Sequence, residues 1–73
     1  MIMTLWDAEE GKEYTVARLK TGDEELEAFL FSLGCYSGEH ITVISRHKSG
    51  CTVSIKDGRY HIDPALAKAI TVL

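Results

Sequence analysis

Five side chains in this sequence are of types that hold a transition metal or attack an electrophile: Cys35, Cys51, His40, His47 and His61. A closed tetrahedral metal site needs about four such ligands, and they arrive as close pairs such as CxxC, HxxxH or HExxH. None of these spacings occurs here. The nearest approach is His47 with Cys51. The two flank Lys48-Ser49-Gly50 and become cross-strand neighbours if those residues form a three-residue hairpin loop with glycine at the left-handed position. Two ligands still make a weak site. Cys51 also shares a face with Val53 and Ile55, so it reads as a small core residue beside a solvated histidine. His61 shares an outward face with Arg59, and His40 stands at a strand entrance; both are expected at the surface. Harder divalent ions also accept carboxylates, yet Asp23, Glu24, Glu25 and Glu27 are explained by the positive end of a helix dipole.

Catalysis has less support still. The sequence has no GxSxG, and a Cys/His pair lacks any visible orienting or oxyanion partner. Seventy-three residues leave little room for a pocket once a core is filled. Gly34-x-x-x-Gly38 lacks the lysine and hydroxyl residue of a phosphate-binding loop. No enzyme is expected.

Nucleic acid is a more serious candidate, because small barrels grip single strands with aromatic and basic residues. Tyr36, Tyr60, Arg46, Lys48, Lys56 and Arg59 would be the contacts. Against this, Tyr60 alternates with Ile62 toward a core, and the net charge is −3. Residues 1–39 carry nine acids and three bases, whereas residues 40–73 carry two acids and five bases. That balance describes an acidic side and a mildly basic side, not one dominant basic face.

The elements that would position these residues are legible in outline. Trp6 to Lys12 is a lead-in closing at Gly11. Tyr14 to Leu19 is a first strand. Leu26, Phe29, Leu30 and Leu33 then fall at i, i+3, i+4 and i+7, one stripe of a helix that Asp23 or Thr21 caps and Gly34 ends. Ile41 to Arg46 is a strand in which the pair Val43-Ile44 breaks alternation and predicts a bulge or a barrel bend. Cys51 to Lys56 alternates cleanly, Asp57-Gly58 marks a two-residue turn, and Tyr60 and Ile62 face one way. Asp63-Pro64 opens one helical turn over Ala65 to Ala69, and Ile70 to Leu73 is a last short strand. The prediction is five short strands in a small closed sheet, with one amphipathic helix between strands 1 and 2, in a single domain over residues 1–73.

No apolar run approaches the roughly 20 residues of a bilayer span. Met1 to Asp7 has neither a basic segment nor a small-residue cleavage site. A cytoplasmic protein is expected, in which Cys35 and Cys51 remain thiols. Beyond the helix, Leu33, Cys35 and Tyr36 gather at one corner. They either close the end of the barrel or dock a partner protein, with Tyr36 as an aromatic anchor.

Taken together, these parts resemble the ferrous iron transport A family. They are Leu5 with Gly11, the strand Tyr14 to Leu19, and the helix running into Leu33-Gly34. Then come Gly38, Ile41-Thr42-Val43, the hairpin at Gly50, and the closing Ile62, Ala67, Ile70 and Val72. The sequence departs from the family's habit at Cys35, where methionine or leucine is usual, and at Ser37, where proline is. A basic residue ahead of Leu33-Gly34 and a proline in the loop Lys48 to Gly50 are also absent. The resemblance implies an SH3-like barrel and an accessory role in bacterial ferrous iron uptake. The implied partner is the ferrous iron permease with its GTP-binding cytoplasmic domain, and the membrane is met only through it. No nucleic acid is implied, and the protein would be a monomer or weak homo-oligomer. The resemblance implies no firm cofactor; weak divalent metal binding, of ferrous iron above all, is as far as it goes. Similar SH3-like modules form the C-terminal domains of iron- and manganese-dependent repressors, so a metal-responsive regulatory module is the alternative. A nucleic-acid-binding module is the lesser one.

Overall fold

Alternation of apolar and polar residues in the second half of the chain builds the centre of the structure. The computed structural model describes residues 3–73. In β4 (Gly50–Ile55), Cys51, Val53 and Ile55 are buried while Thr52 and Ser54 are only half-covered. This strand pairs antiparallel with β3 (His40–His47) on one side and β5 (Gly58–Ile62) on the other. The remaining elements are β1 (Met3–Thr4), a 3₁₀ turn (Leu5–Asp7), β2 (Glu13–Leu19), α1 (Glu24–Ser32), α2 (Pro64–Ala69) and β6 (Ile70–Val72). One core joins them, with Leu5, Val16, Leu30, Ile41, Val43, Val53, Ile70 and Val72 among its members.

The sheet differs from the expectation in two ways. Among the described residues it has six strands rather than five, in the order β1-β6-β2-β3-β4-β5, because Met3–Thr4, ahead of the expected lead-in, adds a short strand. It is also not closed: among the described residues β1 and β5 remain edges. Helix α2 packs against β1, the 3₁₀ turn and β4, covering apolar surface that closure would otherwise have buried.

Two turns are shifted from their expected places. His47 pairs with Gly50, so the first loop is only Lys48-Ser49, and Cys51 faces Arg46 instead of His47. A Cβ on Gly50 would stand 2.1 Å from the Ile62 carbonyl oxygen, and its φ of +135° suits only glycine, so this residue fixes the register. The second turn is Lys56-Asp57, with Ile55 opposite Gly58 and Lys56 at φ 53°. Asp57-Gly58 is therefore not the loop, and Gly58 lies under the Tyr60 ring, where a Cβ would meet the hydroxyl at 2.3 Å. The expected bulge is present: Val43 faces Val53, Ser45 faces Thr52, and Ile44 is the extra, exposed residue.

Both helices begin as the sequence suggests. The Asp23 carboxylate accepts from the Glu25 and Leu26 amides, and the Asp63 carboxylate accepts from the Leu66 amide ahead of a first-turn proline. The stripe on α1 is narrower than its spacing implied. Leu30 is buried and Leu26 and Leu33 are half-buried, but Phe29 is 52% exposed and Phe31 is 62% exposed. A helix of nine residues laid on so small a sheet touches it along one line. Residues about 100° to either side of Leu30 fall off that line.

Candidate functional site

The corner beyond α1 is shaped by how the helix ends. The Cys35 amide donates to the Leu30 carbonyl at 2.9 Å and the Gly34 amide to Phe31 at 3.0 Å, with Gly34 at φ +94°. This is a Schellman motif, in which the residue after the glycine packs back onto the helix. The consequence is that Cys35 enters the core beside Leu30, with 1% of its surface exposed. Its side chain is therefore not on the surface expected to meet a partner, and burial pushes the thiol up to about 11. Cys51 is buried as well and its thiol is also raised by burial, with Arg46 pulling in the opposite direction.

Leu33 is half-buried and Tyr36 remains partly open to solvent. The Phe31 and Tyr36 rings lie 4.7 Å apart between centroids, tilted by 32°. Across the corner, the Lys56 ammonium stands 5.5 Å above the Tyr36 ring and 3.4 Å from the Glu39 carboxylate. Polar contact with Tyr36, and then the Glu39 charge, hold this lysine above its ordinary range. Its aliphatic stem fills the space over Gly34, where a Cβ would lie 3.0 Å from Lys56 Cε. The loop is anchored from below: the Gly38 amide donates to Val16, the Val16 amide to Glu39, and the Glu39 amide to Tyr36. Phe31 and Lys56, two parts of this corner, were missed from the sequence. Phe31 stood outside the stripe template, and Lys56 arrives from a turn 20 positions beyond Tyr36.

The candidate metal ligands are dispersed. Among the described residues no group of three or more His, Cys, Asp or Glu side chains could hold an ion. His47 and Cys51 do not meet, since Cys51 points inward and His47 is exposed. His61 Nδ1 lies 3.3 Å from the Thr52 hydroxyl on the outer sheet face, and His40 lies 3.5 Å from Glu13. Arg46, read as a nucleic-acid contact, donates instead to the Trp6 and Ala8 carbonyls and ties the 3₁₀ turn to β3. A cleft of about 330 Å³ opens on the other flank, between Leu26 of α1 and Leu66 and Ala69 of α2, with Lys20 and Asp63 at its rim. No helix among the described residues is long and apolar enough to cross a membrane.

Comparison with known proteins assigns this architecture. Among solved structures, an iron uptake regulatory protein, FeoA, superposes with a TM-score of 0.85 at 25% identity, covering 99% of this chain and 94% of that one. A manganese-dependent transcriptional repressor gives 0.88 at 26% identity over 99% of this chain. This chain spans only 41% of that repressor. Stenotrophomonas maltophilia FeoA, solved with zinc and described as a prokaryotic SH3 domain protein, gives 0.83 at 19% identity, covering 96% and 88% of the two chains, and shows the shared SH3-like fold. No curated protein matches the sequence. The model of the FeoA domain matches residues 3–73, and on that ground the chain belongs to the FeoA family.

Proposed function

We propose that this protein is a non-catalytic accessory of ferrous iron uptake. It acts by docking on the cytoplasmic part of the ferrous iron permease, in the cytoplasm, and meets the membrane only through that partner. The observation that carries this reading is the solvent-facing Phe31, stacked on Tyr36 at a corner that backbone hydrogen bonds hold in place. Exposed aromatics on a rigid support lose little conformational entropy on binding and form strong anchors. Leu33 lends apolar surface at their edge, and Cys35 supports the corner from within.

The test is a pull-down of the tagged protein from iron-starved cells in mild detergent, with partners identified by mass spectrometry. Recovery of the permease, lost with Tyr36→Ala, supports both the partner and the corner. Recovery with the variant as well keeps the partner and moves the contact elsewhere. Finding only a transcription factor would overturn the accessory role.

A second reading, a metal-responsive regulatory module, draws on the likeness to the manganese-dependent repressor. Titration calorimetry with ferrous, manganous and zinc ions decides it. Absence of heat with all of them removes this reading.

A further inference from the structure

The charges around the aromatic corner go further than its shape. Glu24, Glu27 and Phe31 stand at i, i+3 and i+7 and so share one flank of α1, while Glu25, Phe29 and Ser32 share the other. Each exposed phenylalanine therefore has a carboxylate one or two turns away. Helix α1 contains three acids and no base. Glu27 accepts from the Thr21 hydroxyl, and Lys56, the base at the corner, is taken by Glu39 and Tyr36. Among the described residues none of Glu24, Glu25 and Glu27 meets a base within ion-pair distance.

We propose that this rim receives a cationic amphipathic segment of a partner protein. Its apolar side chains would lie on Phe31 and Tyr36 and its lysines or arginines would face Glu24 and Glu27 on the same flank of α1. The inference rests on the protein-docking reading above and adds the chemistry of the partner. Uncompensated carboxylates beside exposed aromatic rings repel the phosphates of nucleic acids and of anionic lipid, and attract ammonium and guanidinium groups. The Lys56 ammonium over Tyr36 demonstrates within the chain that this ring accepts a cation. A second copy of the chain is a poorer occupant, because its bases on residues 40–73 are spread singly among strands, turns and α2.

The test is an NMR titration of the isotope-labelled protein with a synthetic helical peptide. The peptide carries leucines at i, i+3, i+4 and i+7 and lysines elsewhere; a matched peptide has glutamates for the lysines. Shifts confined to residues 24–36 with the lysine peptide alone support the proposal. So does a loss of about tenfold in affinity both for Glu24→Lys with Glu27→Gln and for Phe31→Ala. Raising the salt from about 50 to about 300 mM should weaken binding further, since exposed charges are screened over about 10 Å or less. Shifts on other surfaces, an equal response to the glutamate peptide, or unchanged affinity in the variants would overturn it. Self-association of the free protein through this rim, seen by sedimentation, would overturn it in favour of a second copy. The permease assignment fails separately: peptide binding without recovery of the permease removes that partner and leaves the cationic segment standing.

Discussion

The β3-β4-β5 meander and helix α1 are both rich in apolar residues and use them in opposite ways. In β4 nearly every apolar side chain is inside, and the strand's outer face is threonine and serine. In α1 Leu30 alone is fully buried, and two phenylalanines face water. A strand paired on both sides is located by its neighbours' registers, so an apolar residue there has one place to go. A helix resting on a sheet by one line keeps its flanks free, and apolar residues on those flanks contribute little to folding. The exposed aromatics beside a tightly held loop are therefore surface that folding does not require, which is why the proposed docking site is placed there.

Substitutions can break or sharpen this contrast. The largest effect is expected in the meander: Gly50→Ala places a Cβ against the Ile62 carbonyl and should cost about 3 kcal/mol or more. A calorimetric melt should then fall by more than about 10 °C. Within the helix, Leu30→Ala should cost about 2–3 kcal/mol by chemical denaturation, since it opens a cavity where α1 meets the sheet.

Cys35 gives a pH test of the same junction. Its thiol titrates near 9.0 when exposed and at about 11 in the fold, because burial disfavours the thiolate. The native state therefore keeps its proton where the unfolded state loses it, and stability falls as pH rises from about 9 to about 11. Relative to Cys35→Ala, the wild type should lose about 2 kcal/mol across that window in urea melts. An identical pH profile for the two proteins would mean that the thiol is hydrated.

Asp23→Ala removes the cap of α1 and should cost about 1 kcal/mol, visible as faster amide exchange in the first turn. Smallest of all, Phe31→Ala should change stability by less than about 0.5 kcal/mol while weakening partner binding. A large loss of stability for Phe31→Ala would erase the distinction between the two regions.

Much of the fold was legible in the chain because its signals are local. Asp23 and Asp63 cap helices through their own neighbouring amides, Gly34 ends α1 through a positive φ, and the Val43-Ile44 pair announces its bulge by breaking alternation. The turns were misplaced by one residue because Lys48-Ser49 and Lys56-Asp57 depend on which residues pair across the strands, a property of two segments and not of one. Legibility of the corner was lower. Leu33 and Tyr36 were visible as apolar residues past a helix end, but that Cys35 is buried while Phe31 is exposed depends on which side of the helix end the sheet lies.

By itself the sequence determined the order of elements from β2 to β6, the capped helix, the acidic first half of the chain and the absence of a close-spaced ligand motif. Only the tertiary structure decided that the sheet stays open with α2 across the gap, that His47 and Cys51 part company, and that Phe31, Tyr36, Glu39 and Lys56 share one corner. The reason is physical. Caps, glycine turns and alternation act between residues a few positions apart, whereas closure, cross-strand register and side-chain exposure are set by whichever distant segment packs opposite.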